Sequence, residues 1–499
     1  MADRDPHPQT ADLAYATLGD LITGQAAGRI TSTHLVGALI DRVRAIDEPG
    51  TRTELRAVLA LATDAVAEAG QRDRERAGGL ARGPLHGIPV LVKDNIEAVG
   101  LPATAGSLAL AGRPVARDSA VASRLRAAGA VILGSANMSE WANFRSPRST
   151  SGWSGVGGLT GNPWALDRSA GGSSSGSGAA VAAGLVPVAV GTETNGSITN
   201  PAALSGVVGL KPTVGLVPTL GVVPLSSSQD AVGPVARSVR DAALLLEVLA
   251  GTGDLAIACD LDAAREVRVG VATQWLTGDA ATDAVFARAL ESLEPLVASL
   301  RDVAAAAPGF DVHDDQVTVL LGEFVDGLDG YLPTRGGKGV RSMADVIAFN
   351  EAHAEAELAA FGHEYLERAA ASGGMAASTY AAARRRNVEW ARDVCLRPAL
   401  ATGVDVLVAP AYRPAWKSDL THGDVLAGGG IVSTPPAILG WPILTVPMGL
   451  VAGLPVGLSI VGPPGSEAAL ISVGHALEAA VGLAAAGSWR PGWREPQRG

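Results

Sequence analysis

Apolar positions change their period several times along the chain. Leu18, Leu21 and Ile22 form a short apolar face, and Leu35, Leu39, Ile40 and Val43 recur at helical spacing after three N-cap candidates, Thr31, Ser32 and Thr33. This predicts two helices between Thr17 and Ile46, and a third over residues 52–78 that ends in the charged run QRDRER. Further on the apolar runs shorten and become β-branched. IPVLV (88–92), VIL (131–133), VPVAV (186–190) and VRVGVA (267–272) read as buried strands, with helical patterns over 119–130, 238–251 and 281–300. Such alternation argues for an α/β sheet with helical cover. Residues from about 343 to 400 depart from it and read as two long helices with no strand between them, a helical excursion on the sheet. VDVLVAP (404–410), PILTVPMG (442–449) and LPVGLSIVG (454–462) return to strand, and a last helix runs from about Glu467 to Val481. With neither a linker-like run nor an internal repeat, one large domain with a helical insertion is the expected organisation.

Composition narrows the function. The 499 residues are 47% hydrophobic and 18% charged, enough to bury a large core. A formal charge of −11 argues against a basic surface for nucleic acid. The longest apolar stretch, AAVAAGLVPVAV, is short and broken by Gly and Pro, so it does not suit a bilayer-spanning helix. The start, MADRDPHPQTADLA, lacks the apolar segment of a signal peptide, and a cytoplasmic location is expected. Cys259 and Cys395 have no near partner and fit a reducing compartment. No spacing of Cys or His suggests a metal, no cofactor is expected, and His353 and His363 read as helix-surface residues. The 62 glycines concentrate between Gly152 and Gly221, where they imply tight turns and close backbone approach.

Candidate chemistry sits in that glycine-rich region. Ser173 and Ser197 are 24 residues apart in GGSSSGSGAAVAAGLVPVAVGTETNGSITNPA, and Lys93 ends an apolar run upstream. Only four lysines accompany 35 arginines. A desolvated lysine loses its proton far more readily than an arginine, so Lys93 suits the base of a Ser-Lys site. Residue types alone leave a second reading equally open, a core ion pair with Asp94 or another buried acid. Likewise Thr194-Asn195-Gly196-Ser197 is either a nest of N–H groups for an oxyanion or an ordinary Asn-Gly turn. The G-x-S-x-G match at 172–176 would make Ser174 the nucleophile, but it lacks a partner histidine and reads as accidental.

The segments GPLHGIPVLVKDN (83–95), GSANMSEWA (134–142), GGSSSGSGAAVAAGLVPVAVGTETNGSI (171–198), PAALSGVVGLKPTVG (201–215), VLVAP (406–410) and GWPILTVPMG (440–449) together resemble the amidase signature family. The likeness runs from about residue 17 to 480. It implies one α/β domain over 1–499, a large twisted mixed sheet covered by helices on both faces. Its parts would be N-terminal helices (17–80), a signature core (83–250), the helical excursion (310–400) and C-terminal strands with a helix (404–480). It also implies a Ser–cis-Ser–Lys triad in which Ser197 is the nucleophile, Ser173 the bridge after a cis peptide bond from Gly172, and Lys93 the base. Backbone N–H groups of Thr194, Asn195, Gly196 and Ser197 would form the oxyanion hole.

Within the family, SEWANFR (139–145), SGW (151–153), the stretches 191–218 and 226–243, and SMADVIAFNEAHAEAEL (342–358) are similar to bacterial peptide amidases, which release ammonia from C-terminally amidated peptides. Many members carry Asp and Gly where this chain has Glu193 and Asn195, and Arg where it has Thr199. The absent Arg argues against a small acidic substrate and against a tRNA amidotransferase component. Trp141, Phe144, Arg145 and Ser174 are candidate substrate contacts, and Trp141, Trp153 and Trp164 are read either as a groove wall or as caps on the core. The rival readings are a broad aliphatic or aryl amidase, an esterase, and a partner-dependent amidotransferase component. The expected substrate is a peptide or small-molecule amide, with neither nucleic acid nor membrane as partner.

Overall fold

The computed structural model describes residues 13–482 except 52, 113–114, 337–338 and 425–430, together with Pro491. Its centre is an eleven-stranded mixed sheet. In spatial order the strands are Val58–Leu61, Val131–Ala136, Pro89–Lys93, Val188–Glu193, Ala231–Ala236, Val208–Lys211, Ile443–Val451, Leu454–Val461, Val406–Pro410, Arg268–Ala272 and Ser299–Val303. Pro89–Lys93 runs parallel to both of its neighbours, Val131–Ala136 and Val188–Glu193. Arg268–Ala272 likewise runs parallel to both of its neighbours, and the other pairings are antiparallel.

The central strands Pro89–Lys93, Val131–Ala136, Val188–Glu193 and Ala231–Ala236 are buried at every position. Side chains alternate between faces along a strand, so unbroken burial means that both faces are covered. Helices Ser175–Ala182 and Thr199–Ser205 pack on the sheet and on each other. A second group, Val239–Ala250, Ala280–Leu293 and Glu467–Ala480, touches the sheet and is joined through the last of the three. Ser175–Ala182 lies so close that a Cβ on Gly176 would come within 2.3 Å of the Ala57 carbonyl and 2.5 Å of the Asn137 nitrogen. Only glycine fits there, and the close approach brings the preceding loop, with Ser173, down onto the ends of the strands.

The helical excursion begins with the 22-residue helix Phe310–Tyr331. Its Val317, Leu320, Leu321, Phe324 and Leu328 build a second core with Trp141, Phe144 and Leu366. Of the two long helices read over 343–400, the first divides into Met343–Ala352, Ala354–Glu357 and Glu364–Ala370. The second is continuous from Ser378 to Ala401 but contains a π-helical turn, Trp390–Leu396, next to Pro398, which lacks the N–H that a regular ladder needs.

Several sequence expectations need correction. Residues 52–78 do not form one helix: Val58–Leu61 is an edge strand paired with Val131–Ala136, and the helix is Ala65–Ala77. The helix read over 281–300 ends at Leu293 before Pro295, and Ser299–Val303 is a strand. Val208–Lys211 and Ala231–Ala236 are strands that carry Gly209, Gly233 and Pro234 inside them. His353 is exposed, but His363 is buried, in contact with Asn350 and Glu367. Cys259 and Cys395 are both free thiols. The C-terminal tail from residue 487 lies outside the described residues, save Pro491.

Candidate active site

Lys93 ends its strand beside Thr192, because the parallel register pairs Val92 with Val190 and carries both chains to the same end of the sheet. The lysine is fully buried. Its Nζ donates to Ser173 Oγ at 2.8 Å, to the Thr192 hydroxyl at 2.9 Å and to the Thr192 carbonyl at 3.1 Å. Asn95 Nδ2 donates to the same Thr192 hydroxyl at 3.0 Å. Burial pulls the Lys93 ammonium down from 10.5 to about 7, against the opposing pull of the Asp230 and Glu193 carboxylates. Asp94 is not the partner of Lys93: its carboxylate instead accepts from Thr104 N at 2.9 Å and from the Thr104 hydroxyl.

Two loops meet above the lysine. The Gly172–Ser173 peptide bond is cis. Gly172 N donates to Asn200 Oδ1 at 3.0 Å, and Ser174 N to the Ser197 carbonyl at 3.0 Å, so both flanks of Ser173 are tied to the Ser197 loop. That loop is shaped by two acids. Glu193 Oε2 accepts from the Ile198 and Thr199 N–H groups at 2.7 and 2.9 Å, and from the Thr199 hydroxyl at 3.1 Å. Asp230 accepts from the Thr194 hydroxyl at 2.5 Å. Gly196 has φ 83°, and a Cβ there would lie 2.5 Å from the Tyr412 hydroxyl. Among the described residues, the backbone N–H groups of Thr194, Asn195, Gly196 and Ser197 bond to no backbone carbonyl. Four consecutive N–H groups beside a serine are thus left without a backbone acceptor.

Ser197, Gly172 and the 194–196 turn line an inner cavity of about 180 Å³, walled further by Ala142, Asn143, Phe144, Tyr412, Trp416 and Asp424. An outer cleft of about 670 Å³ shares Asn143, Phe144, Asn195, Leu320, Tyr412 and Asp424 with it. Asn195 is held by Thr434 at 3.2 Å and Gln316 at 3.3 Å and accepts from Ser433 at 2.7 Å, so its side chain forms wall where the cleft meets the turn.

Of the four sequence candidates for substrate contact, only Phe144 lines these spaces. Trp141 is buried against Phe324, 6.3 Å between ring centroids, in the second core. Ser174 is a strut: its hydroxyl donates to the Thr192 carbonyl at 3.0 Å and accepts from Thr192 N at 3.2 Å. Arg145 is fully buried, paired with Glu140 at 2.6 Å and Glu357 at 3.3 Å and lying over the rings of Trp153 and Phe361. Trp153 and Trp164 lie away from the cavity, Trp164 donating to the Ser205 carbonyl at 2.8 Å. The tryptophan in the wall is Trp416, which with Tyr412 and Asp424 comes from a segment more than 200 residues beyond Ser197 in sequence. No sequence pattern marks that segment.

Arg145 therefore links the helical excursion to the signature core. Burial drives the Glu140 carboxyl well above the usual carboxylate range, opposed by the Arg145 charge. Arg145→Ala leaves Glu140 and Glu357 buried without their cation and is expected to cost about 3–5 kcal/mol of stability, the usual penalty for breaking a buried pair. Urea denaturation checks this. A midpoint equal to that of the unaltered chain would contradict the structural role.

A sheet of this topology, with a buried lysine hydrogen-bonded to a serine, fits an amide hydrolase of the amidase signature type. The Amidase family model matches residues 35–471, and the chain belongs to that family. Among solved structures it is similar to the native peptide amidase of Stenotrophomonas maltophilia, with 43% identity over 94% of this chain and 97% of that one and a TM-score of 0.88. A peptide amidase in complex with the competitive inhibitor chymostatin gives 44% identity, 93% and 97% coverage and a TM-score of 0.88. A probable amidase of Arabidopsis thaliana is 36% identical over 490 residues, covering 94% of this chain and 91% of its own length. A glutamyl-tRNA(Gln) amidotransferase component of Anaeromyxobacter is 38% identical over 495 residues, covering 94% and 97%. Among the described residues no helix is long and apolar enough to cross a membrane, and no group of His, Cys, Asp and Glu is arranged to hold a metal ion.

Proposed function

We propose that this amidase releases ammonia from C-terminally amidated peptides through an acyl-enzyme on Ser197, with Ser173 as proton relay and Lys93 as base. The observation that carries the reading is the 2.8 Å bond from Lys93 to Ser173 in a site where burial brings the lysine to about 7. Neutral Lys93 takes the Ser173 proton as Ser173 takes that of Ser197. Ser197 Oγ then bonds to the carboxamide carbon, and the oxyanion rests on the N–H groups of residues 194–197. The proton returns through Ser173 to the leaving nitrogen, the C–N bond breaks and ammonia departs. Water then cleaves the ester by the same route, regenerating Ser197 and leaving a peptide carboxylate.

The cavity supports a neutral, peptide-borne amide. Neither the inner cavity nor the outer cleft is lined by a lysine or arginine among the described residues, and Asp424 belongs to both walls. A substrate carboxylate beside the scissile group would find no counter-ion and face a like charge. This disfavours small amides that carry a free carboxylate, glutamine among them, and with them the amidotransferase reading. The small inner space suits the terminal carboxamide and the wider cleft the peptide that bears it. The test is ammonia release from peptide amides, simple aliphatic and aryl amides, glutamine and unamidated peptides. Peptide amides are expected to react fastest. Equal rates on simple amides would favour the broad-specificity amidase, and cleavage of internal peptide bonds would refute the proposal.

A further inference from the structure

The turn from Thr194 to Ser197 is fixed at its two ends by acids, Asp230 at the Thr194 hydroxyl and Glu193 at the Ile198 and Thr199 N–H groups. Its middle is held from outside. Asn195 Nδ2 donates to Gln316 Oε1 at 3.3 Å and to Thr434 Oγ1 at 3.2 Å, and Asn195 Oδ1 accepts from the Ser433 hydroxyl at 2.7 Å. An amide nitrogen has two hydrogens to give, and both are taken. The carboxamide is thereby locked in one orientation and keeps no N–H for a ligand, although the residue lines both the inner cavity and the outer cleft.

The partners belong to distant elements. Gln316 lies on the helix Phe310–Tyr331, while Ser433 and Thr434 are 238 and 239 residues beyond Asn195 in sequence. Gln316 and Ser433 are buried, and Gln316 Nε2 donates in turn to Gln229 at 3.3 Å, so the supports are themselves fixed. Tyr412 adds a further hold. Its hydroxyl is 3.4 Å from Ser433 Oγ and packs on the next residue of the turn, where a Cβ on Gly196 would come within 2.5 Å of it. A side chain that reads a substrate keeps its donors free; one that fixes its own backbone spends them on the protein. The direction of an N–H matters most once charge develops on the oxygen it faces. We infer that Asn195 is a positioning residue: its side chain anchors the turn to the helix Phe310–Tyr331 and to Ser433 and Thr434, and so aims the N–H groups of residues 194–197 at the developing oxyanion. The inference rests on the acyl-enzyme reading above, and it makes the helical excursion a support of the catalytic turn.

The test begins with Asn195→Ala and N-acetyl-phenylalaninamide. kcat is expected to fall by about 10–10²-fold, less than the 10²–10³ that follows outright loss of an oxyanion donor, with KM changed by no more than about twofold. Two inhibitors separate this from a change in the cleft. N-acetyl-phenylalaninal forms an adduct: Ser197 Oγ bonds to the aldehyde carbon, the aldehyde oxygen takes the electron pair, and the serine proton passes through Ser173 to Lys93. In N-acetyl-phenylalaninol an alcohol replaces the aldehyde, so no adduct forms. In the variant the Ki of the aldehyde should rise by the factor by which kcat/KM falls, while that of the alcohol stays. Ser433→Ala and Thr434→Val each remove one support without touching the turn. Each is expected to lower kcat and weaken the aldehyde by about two- to tenfold, the scale of one neutral hydrogen bond, and to add little in the Asn195→Ala background. These two variants carry the test should Asn195→Ala not fold. Equal weakening of aldehyde and alcohol would make Asn195 a wall of the binding cleft and overturn the inference. Unchanged kcat, or losses that add in full in the double variants, would overturn it too. An aldehyde bound no more tightly than the alcohol by the unaltered chain would instead refute the acyl-enzyme reading itself.

Discussion

Ser197→Ala is expected to abolish ammonia release, a loss on the order of 10^5-fold or more, as for removal of the nucleophile in other serine hydrolases. Stability is expected to stay within about 0.5 kcal/mol of the unaltered chain, because the change removes one hydroxyl at a cavity mouth and nothing the fold relies on. The contact that ties the two loops, Ser174 N to the Ser197 carbonyl, belongs to the backbone and survives the substitution. The Glu193 and Asp230 contacts that shape the turn do not involve the Ser197 side chain. Activity and stability are thus predicted to separate cleanly, which few substitutions in so buried a site would allow. A fluorophosphonate supplies the second readout. It should add one phosphonyl group to the unaltered chain with loss of fluoride, map to the peptide containing Ser197, and fail to label the variant. Labelling at Ser174 would contradict the assignment. The structure already makes Ser174 a poor nucleophile, since its hydroxyl is fully buried and spans Thr192 N and O.

The parts of this site legible in the sequence are those confined to short segments. Lys93 stands out as a rare lysine closing an apolar run, and the family resemblance matches Ser173 and Ser197 by their local motifs. The rest of the cavity wall comes from far along the chain. Tyr412, Trp416 and Asp424 follow the Val406–Pro410 strand in a stretch whose composition has no periodicity, and only the sheet order brings them opposite the Ser197 turn. Trp141 and Arg145 show the opposite error. An aromatic and a cation next to a motif suggest recognition, yet Phe324 and Glu357, from elements more than 180 residues away, claim them for packing. The fold shows the same division. The helices Leu18–Ala26 and Ser32–Ile46 have clear periodicity and capping residues, Thr17 and Thr31, that accept the expected backbone bonds. The strands Val208–Lys211 and Ala231–Ala236 hide because Gly209, Gly233 and Pro234 erase the β-branched pattern. Gly233 is required where the neighbouring strand passes, since a Cβ there would meet the Leu210 carbonyl.

Lys93→Met is the second large effect, and it tests the base by its sign as well as its size. Removing a general base typically costs about 10²–10⁴-fold in rate. In the unaltered chain kcat/KM should rise as pH passes through about 7, because only the neutral amine can take the Ser173 proton. The variant should lose that rising limb. Stability is expected to move the other way. The lysine titrates near 7 when folded and at 10.5 when unfolded, so between these values the unfolded chain binds more protons. Folding stability therefore climbs with pH across that window, and the full cost of burying the ammonium is present below it. Met fills a similar volume without a charge. Lys93→Met should then be more stable than the unaltered chain by on the order of a few kcal/mol near pH 6, with the gain shrinking toward pH 10. Thermal melts at the two pH values, beside the pH–rate profile, decide the matter. A rate limb near 10.5, or a stability gain of the variant over the unaltered chain that is no larger at pH 6 than at pH 10, would mean that Lys93 is an ordinary cation and that the proton of Ser173 leaves by another path.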